Sequence, residues 1–189
     1  MVNLDMTKGE KIPLTKDNPG LTEIFVGAGW KPNANKSAKK FDLDLFAYLL
    51  KQKKLVDAKD VIYFKNLQHS SGAIFLNKDN LDGEGEGDDE VINVNLAKIP
   101  ADVTEIIFGI NIYEAAEKLQ NFGMVDDTHI RIVNAKDNKE ISKYNPSEDF
   151  STNTGLIAMK LYRDGAEWKV QAIGEGKNGT IAEFAEAYQ

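Results

Sequence analysis

Acidic side chains are concentrated in one segment of the chain, which runs from Asp79 to Glu90 and reads DNLDGEGEGDDE. Seven of its twelve residues are Asp or Glu, and it contains neither Lys nor Arg. The whole chain of 189 residues has 30 acids and 23 bases, which gives a formal net charge of −7. Without this segment, which we call the acidic loop, acids and bases would be equal in number. The net charge of the protein therefore resides in the acidic loop.

So many neighbouring carboxylates would repel one another, raise one another's pKa values and destabilise a compact loop unless a cation binds to them. Carboxylate and carbonyl oxygens, without thiols or imidazoles, suit a hard ion such as Ca²⁺. Glycines at alternate positions, Gly83, Gly85 and Gly87, allow positive φ angles that turn backbone carbonyls toward a bound ion. Mg²⁺ fits less well because it requires strict octahedral geometry and tends to keep its waters. The acidic loop therefore predicts a calcium site.

The acidic loop does not have the pattern of an EF-hand. If Gly87 occupies the sixth position of that motif, the twelfth position is Asn93 instead of a bidentate Glu. The residues after the loop also have the pattern of a strand, whereas an EF-hand continues as a helix. A solvated acidic turn is the alternative interpretation of such a charge run. The interleaved glycines and the final Asp-Asp-Glu exceed what solubility requires, which favours a metal site.

Alternation of apolar and polar residues at every second position predicts strands along most of the chain. Residues 41–48 show this pattern, with Asp42 and Asp44 on one face, opposite Leu43 and Leu45. Two like charges on one face either point to water or supply oxygens to a metal ion from outside the acidic loop.

Regularly spaced strands account for most of the remaining chain. They are predicted at residues 24–28, 61–65, 73–76, 91–96, 105–112, 129–133, 156–162 and 168–173, and short helices at 113–120 and 181–188. Gly, Asn, Asp and Pro separate most of the strands. Strands without long helices between them predict a mainly β fold, an antiparallel β-sandwich with one or two short helices. No repeat or linker divides the chain, which predicts a single domain over residues 1–189.

Composition excludes several classes of function. The absence of Cys excludes disulfides, thiolate catalysis and Cys-based zinc sites, and is compatible with a reducing compartment. A pI near 5.0 argues against direct binding to nucleic acid. No apolar run approaches the roughly 20 residues of a transmembrane segment, and the N-terminal residues lack the pattern of a secretory signal. We therefore expect a soluble, cytoplasmic protein.

Two motifs resemble catalytic or cofactor sites but lack the context that such sites require. His69-Ser70-Ser71-Gly72 places a nucleophile beside a base, but adjacent side chains on a strand point apart, and no orienting group is evident. We interpret it as a polar turn. Residues 174–179 match G-x-G-x-x-G, but too few residues remain for the returning strand and the acid of a Rossmann site. We interpret this motif as a tight turn before the last helix.

Further short motifs occur in a fixed order on both sides of the acidic loop. They are Val26-Gly27-Ala28-Gly29-Trp30, Phe41-Asp42-Leu43-Asp44, Asn121-Phe122-Gly123, Ile130-Arg131-Ile132, Leu161-Tyr162-Arg163 and Trp168-Lys169. Together with the acidic loop they resemble the TerD family of tellurite-resistance and general stress proteins. The resemblance extends over nearly the whole chain, and the order of the motifs makes it specific.

This resemblance implies a β-sandwich that binds two Ca²⁺ ions and has no established catalytic activity. It also implies a role in bacterial cytoplasmic stress responses, with other tellurite-resistance proteins as partners, some of them at the membrane. The residues expected to bind calcium on this basis are Asp42, Asp44, Asp79, Asn80, Glu84, Asp88, Asp89 and Glu90. Asp82 is a further expected ligand, whereas Glu86 occupies a variable position. Lys31 and Asn153 stand where the family usually has acids, so no ligands are expected there.

The resulting hypothesis is a non-enzymatic, calcium-binding module of the stress response. One alternative is a Ca²⁺-dependent hydrolase that uses a carboxylate pair near the acidic loop, although nothing in the sequence positions a substrate. Another is a membrane-surface or small-ligand binding module in which Ca²⁺ bridges the acidic protein to anionic groups.

Overall fold

The computed structural model describes residues 5–32, 41–78, 87–146 and 150–189. These residues form two six-stranded sheets, which pack against each other around a shared hydrophobic core. Within the described residues, neighbouring strands pair in antiparallel fashion except for the first strand, which runs parallel to its neighbour. This architecture confirms the mainly β fold that the alternation of residues predicts.

The two sheets are assembled from strands that are distant in sequence. In spatial order, the first sheet comprises β1 (Asp5–Met6), β10 (Glu140–Tyr144), β9 (Val125–Asn134), β3 (Glu23–Pro32), β7 (Glu90–Asn95) and β6 (Ile74–Lys78). The second comprises β2 (Lys11–Pro13), β12 (Glu167–Lys177), β11 (Gly155–Asp164), β8 (Val103–Ile112), β4 (Leu43–Lys51) and β5 (Val61–Ile62). The α-helices are α1 (Ala115–Lys118) and α2 (Ile181–Ala185), and 3-10 turns lie at Ala58–Asp60, Phe122–Met124 and Glu186–Tyr188.

Nine of these strands coincide with predicted ones, and three were not predicted. The unpredicted strands, β1, β2 and β10, are at most five residues long, and such short segments carry little periodicity. β5 ends at Ile62, earlier than predicted, because the backbone turns back where Tyr63 pairs with Asn66. Both predicted helices are present, and each is shorter than its sequence pattern indicates.

The central strand β4 is buried on both faces. Leu43 and Leu45 face the core between the sheets, while Phe46 and Tyr48 belong to a second apolar cluster on the opposite face. The helix α2 covers this second cluster with residues such as Phe184. Full burial of one such side chain contributes about 1.5–3 kcal/mol, so both layers hold β4 in place.

Three strand ends meet at one end of the sandwich. Because β3 and β7 are antiparallel, with Ala28 opposite Glu90, the end of β3 lies beside the beginning of β7. The beginning of β4, in the other sheet, reaches the same place, since the backbone nitrogen of Leu45 contacts Glu90. The fold therefore brings together the acids that precede β7 and the acids at the start of β4.

Candidate metal centre

The structure describes five of the nine predicted metal ligands. Asp88 and Asp89 precede β7, Glu90 is its first residue, Asp44 lies on β4, and Asp42 comes just before β4. Four of these carboxylates are buried, and Asp42 is half-buried. The other four predicted ligands lie outside the described residues: Asp79, Asn80, Asp82 and Glu84.

Asp89 extends the pairing between β3 and β7. Its backbone nitrogen donates to the carbonyl of Ala28 at 2.8 Å, and its Oδ2 accepts a hydrogen bond from the backbone nitrogen of Trp30 at 3.0 Å. The carboxylate therefore takes the place that a strand carbonyl would occupy beyond the last paired residue. This fixes the Asp89 side chain, which is 5 % exposed, against the end of β3.

Glu90 connects the two sheets. It begins β7 in the first sheet, and its Oε2 accepts a hydrogen bond at 2.5 Å from the backbone nitrogen of Leu45 on β4 of the second sheet. The Glu90 side chain is 1 % exposed. A charge-assisted hydrogen bond in such a buried place is stronger than a neutral one. Because the peptide nitrogen of Leu45 is bonded to the carbonyl carbon of Asp44, this contact also brings the Asp44 backbone to Glu90.

Asp88 points to the outer face of the first sheet. Arg131 on β9 donates to both of its oxygens, from Nε to Oδ1 at 2.8 Å and from Nη2 to Oδ2 at 2.9 Å. The Nε2 atom of His129 lies 3.5 Å from Oδ1, and Arg131 also donates to Glu140 at 3.0 Å. Burial raises the pKa of Asp88, but His129 and Arg131 together outweigh that effect and hold the pKa below its usual value.

A glycine is required beneath the Asp88 carboxylate. A Cβ atom added to Gly27 would lie 2.3 Å from the carboxyl carbon of Asp88, which is too close for any side chain. Gly27 on β3 lies opposite Arg131 on the neighbouring strand β9. The Asp88 carboxylate therefore lies over β3, beside the guanidinium group that donates to it. The Gly27 of the sequence motif therefore makes room for the ion pair.

Asp42 and Asp44 lie on the side of the molecule that carries Tyr113. The carbonyl of Asp42 accepts a hydrogen bond from the backbone nitrogen of Tyr113 at 2.8 Å, and Asp44 pairs in register with Asn111 on β8. The pKa of Tyr113 is raised, mainly by a hydrogen bond with Glu114 and more weakly by the charges of Asp44 and Asp42. Negative charge from three acids therefore converges on this end of β4 and β8.

The donor set fits a hard cation. It consists of carboxylate oxygens, and a carboxylate oxygen that already accepts one hydrogen bond keeps a further lone pair. Within the described ranges, no group of three or more Asp, Glu or His side chains has the spacing of a complete metal site. The described carboxylates alone therefore do not have the arrangement of a complete metal site.

Three partners of these acids escape sequence reasoning. The backbone nitrogens of Trp30 and Leu45 have no sequence signal, because any residue supplies an N–H group. Arg131 could have been noticed as the only Lys or Arg in β9, between Ile130 and Ile132, but its distance of 43 positions from Asp88 conceals the pairing.

None of the helices in the described part of the chain is long and apolar enough to cross a membrane.

Comparison with known proteins agrees with this fold and these motifs. The family model described as TerD domain matches residues 2–188. General stress protein 16U of Bacillus subtilis (strain 168) is 42% identical over 188 residues, which cover 99% of this chain and 97% of that protein. Tellurium resistance protein TerD of Serratia marcescens is 36% identical over 188 residues, with the same two coverages.

A solved structure shows the same fold. It is that of a homologue of telluride resistance protein (TerD) from Streptomyces coelicolor A3(2), with a TM-score of 0.71 and 19% sequence identity. The superposition covers 88% of this chain and 96% of that one. At this identity the likeness bears on the fold alone.

Proposed function

The chain belongs to the TerD family of tellurium-resistance and general stress proteins, and from this premise we propose that it is a non-enzymatic, calcium-binding protein of the bacterial stress response. In this proposal it acts in the cytoplasm as an interaction module whose partners are other tellurite-resistance proteins. The names of its relatives support the stress-response role, and the chemistry of the acidic end of the sandwich supports calcium binding.

The observation that carries the calcium proposal is the burial of Asp44 and of the last two residues of the acidic loop, Asp89 and Glu90, at one end of the sandwich. A buried carboxylate is costly unless hydrogen bonds and a cation compensate for its lost hydration. Backbone N–H groups of β3 and β4 supply hydrogen bonds to Asp89 and Glu90. A divalent cation would supply the opposite charge that so many neighbouring acids require.

The residues that would hold the ions come from the acidic loop and from the beginning of β4. Asp42, Asp44, Asp89 and Glu90 would contribute carboxylate oxygens from the strand ends. The remaining oxygens would come from the first part of the acidic loop: Asp79, Asn80, Asp82 and Glu84. Asp88 was also predicted as a ligand, but Arg131 binds both of its oxygens, so we assign it a different task. It would anchor the end of the acidic loop to the outer face of the first sheet.

Thermal unfolding tests this proposal directly. We expect Ca²⁺ to raise the unfolding midpoint of the chelator-treated protein, because a ligand that binds only the folded state stabilises it. At a hundred times the dissociation constant, the gain is about 2.7 kcal/mol. Mg²⁺ at the same concentration should raise the midpoint less. An equal response to Mg²⁺ would remove the case for a specific calcium site.

Asp89→Asn separates the charge of the site from its hydrogen bonding. The amide oxygen of Asn can still accept from Trp30, so the chelator-treated variant should fold, but its response to Ca²⁺ should fall markedly. Asp17→Asn is the matched control, since it removes an exposed carboxylate before β3, at the opposite end of that strand. A full calcium response in Asp89→Asn would place the ligands elsewhere.

A further inference from the structure

A chain of hydrogen bonds joins three side chains far from the acidic end of β4. The Nε2 atom of His69 lies 3.1 Å from Oδ1 of Asp60, and its Nδ1 atom lies 2.7 Å from Oγ of Ser71. Asp60 ends the 3-10 turn before β5, whereas His69 and Ser71 lie in the turn before β6. The orienting group that the sequence did not reveal is therefore Asp60, nine residues before the histidine. These are the residue types of a catalytic triad, connected in the same order.

The hydrogen bonds determine where the protons lie. The backbone nitrogen of Ser71 donates to Nδ1 of His69 at 3.2 Å, so Nδ1 is an acceptor and carries no proton. The ring proton is then on Nε2, where it is donated to Asp60. The backbone nitrogen of Ala73 donates to Oγ of Ser71 at 3.1 Å, which leaves the hydroxyl proton directed at Nδ1 of His69. The serine hydroxyl is thus poised to give its proton to the imidazole.

The three residues differ in burial: the acid and the base are buried, and the nucleophile is exposed. Asp60 is 3% exposed and His69 is 6% exposed, whereas Ser71 is exposed on the surface. The Nζ atom of Lys51 lies 3.4 Å from the second oxygen of Asp60 and 3.5 Å from Asp102, so its charge is shared between two carboxylates. The imidazole is therefore held in one orientation by a buried carboxylate, while the serine on its other side is exposed to solvent.

We propose that Ser71 is an activated nucleophile that accepts an acyl group from small activated acyl donors, such as aryl esters, acyl phosphates or thioesters. Oγ of Ser71 attacks the acyl carbon, and its proton passes to Nδ1 of His69. The bond between the acyl carbon and the leaving group then breaks, and the leaving group departs with the bonding electrons. Asp60 balances the positive charge of the imidazolium. The product is an O-acylated Ser71.

The same turn limits the turnover of the acylated serine. The backbone N–H groups of Ser71 and Ala73 are bound within the relay, and that of Gly72 donates to the carbonyl of His69 at 2.9 Å. These three groups are therefore not available to stabilise an oxyanion, which is the largest contribution in most acyl-transfer enzymes. We accordingly assign Ser71 as a site of stoichiometric acylation, without rapid turnover.

Reaction with p-nitrophenyl acetate tests this inference. Release of p-nitrophenolate gives the rate, and mass spectrometry of peptides locates the acetyl group. We expect one acetyl group on Ser71, added at least about a hundred times faster than to Ser70, because a positioned general base contributes about 10²–10⁴-fold. Ser70→Ala is the matched control in the same turn and should react as the unaltered protein does. Ser71→Ala should lose the fast reaction.

Variants of the two buried groups test how Ser71 is activated. His69→Gln should reduce acetylation of Ser71 to the rate of Ser70. Asp60→Asn should lower the rate of Ser71 acetylation, because the neutral amide cannot stabilise the imidazolium, and Asp60→Glu, which keeps the charge, should restore part of that rate. Equal rates in Asp60→Asn and the unaltered protein would show that the charge of Asp60 has no part in the activation. Equal rates at Ser70 and Ser71 in the unaltered protein would overturn the proposal, whether or not the variants fold.

Discussion

At the scale of single residues, three consecutive acids have three different environments. Asp88 turns outward onto Arg131, Asp89 accepts a hydrogen bond from the end of β3, and Glu90 does so from β4 in the other sheet. Alternation along an extended backbone separates neighbouring side chains, so a run of like charges need not share one site. The sequence shows the run of acids, and only the contacts distinguish anchoring from candidate ligands.

Two variants of Glu90 test whether its hydrogen bond to Leu45 or its charge stabilises the protein. In Glu90→Gln the amide oxygen can still accept from the backbone nitrogen of Leu45, whereas Glu90→Ala leaves that buried N–H group without its acceptor. We expect Glu90→Ala to lower the free energy of unfolding by about 1–3 kcal/mol and Glu90→Gln to lower it less. Urea unfolding in the presence of chelator measures both changes. Equal losses would mean that the charge of Glu90, and not the hydrogen bond, stabilises the junction of the sheets.

At the scale of elements, the helix α2 determines how the second sheet is covered. It begins with a capping box, in which the hydroxyl of Thr180 accepts from the backbone nitrogen of Glu183 and the Glu183 carboxylate accepts from that of Thr180. Such caps are worth about 1 kcal/mol, which matters in a helix of a single turn. The hydroxyl of Tyr48 on β4 donates to the carbonyl of Ile181 at 2.5 Å and ties the helix to the sheet.

This contact predicts a loss of stability at alkaline pH. Burial, with a smaller effect of the charge of Tyr188, raises the pKa of Tyr48 above its usual 10.0, and burial raises the pKa of Tyr188 to about 12. Because the folded-state pKa values exceed the unfolded ones, the stabilisation is fully present below about pH 10 and is lost as the pH rises further. The free energy of unfolding should therefore fall steeply above that pH.

Tyr48→Phe isolates the contribution of the hydroxyl. It removes the bond to Ile181, so the variant should lose about 1 kcal/mol near neutral pH and show a shallower alkaline decline. Chemical unfolding at a series of pH values measures both effects. An unchanged slope above pH 10 would show that Tyr48 does not control the alkaline limb.

At the scale of the whole molecule, the sandwich has one principal core to which both sheets contribute. The hydrogen bond between Glu90 and Leu45 couples the sheets at one end of the sandwich, and β4 takes part in both apolar clusters. Neither sheet can bury its apolar face without the other. The stability of each sheet therefore depends on the presence of the other.

We expect the protein to unfold in a single cooperative transition, as the predicted single domain over residues 1–189 requires. With both sheets sharing one core, the calorimetric and van't Hoff enthalpies should agree, at about 130 kcal/mol near 60 °C for a chain of this length. Differential scanning calorimetry with saturating Ca²⁺ measures both values. Two resolved transitions would show that the sheets unfold separately and that the chain is not one cooperative unit.

The sequence by itself was sufficient for the class of fold and for nine of the strands. Alternation at every second residue and turn-forming residues between strands act over a few positions, so their signal is complete in the local sequence. The concentration of acids in one loop was equally visible. The burial of both faces of β4 was not, because it depends on a helix that lies more than a hundred positions later.

Only the tertiary structure decided which side chains meet. Arg131 reaches Asp88 because Gly27 and Arg131 are opposite each other in the register of β3 and β9, and Glu90 reaches Leu45 because the sheets pack with those strand ends together. Asp60 likewise completes the relay of His69 only through the packing of two turns. Local patterns determine secondary structure, whereas contacts between distant residues arise from strand register and sheet packing, which no short segment encodes.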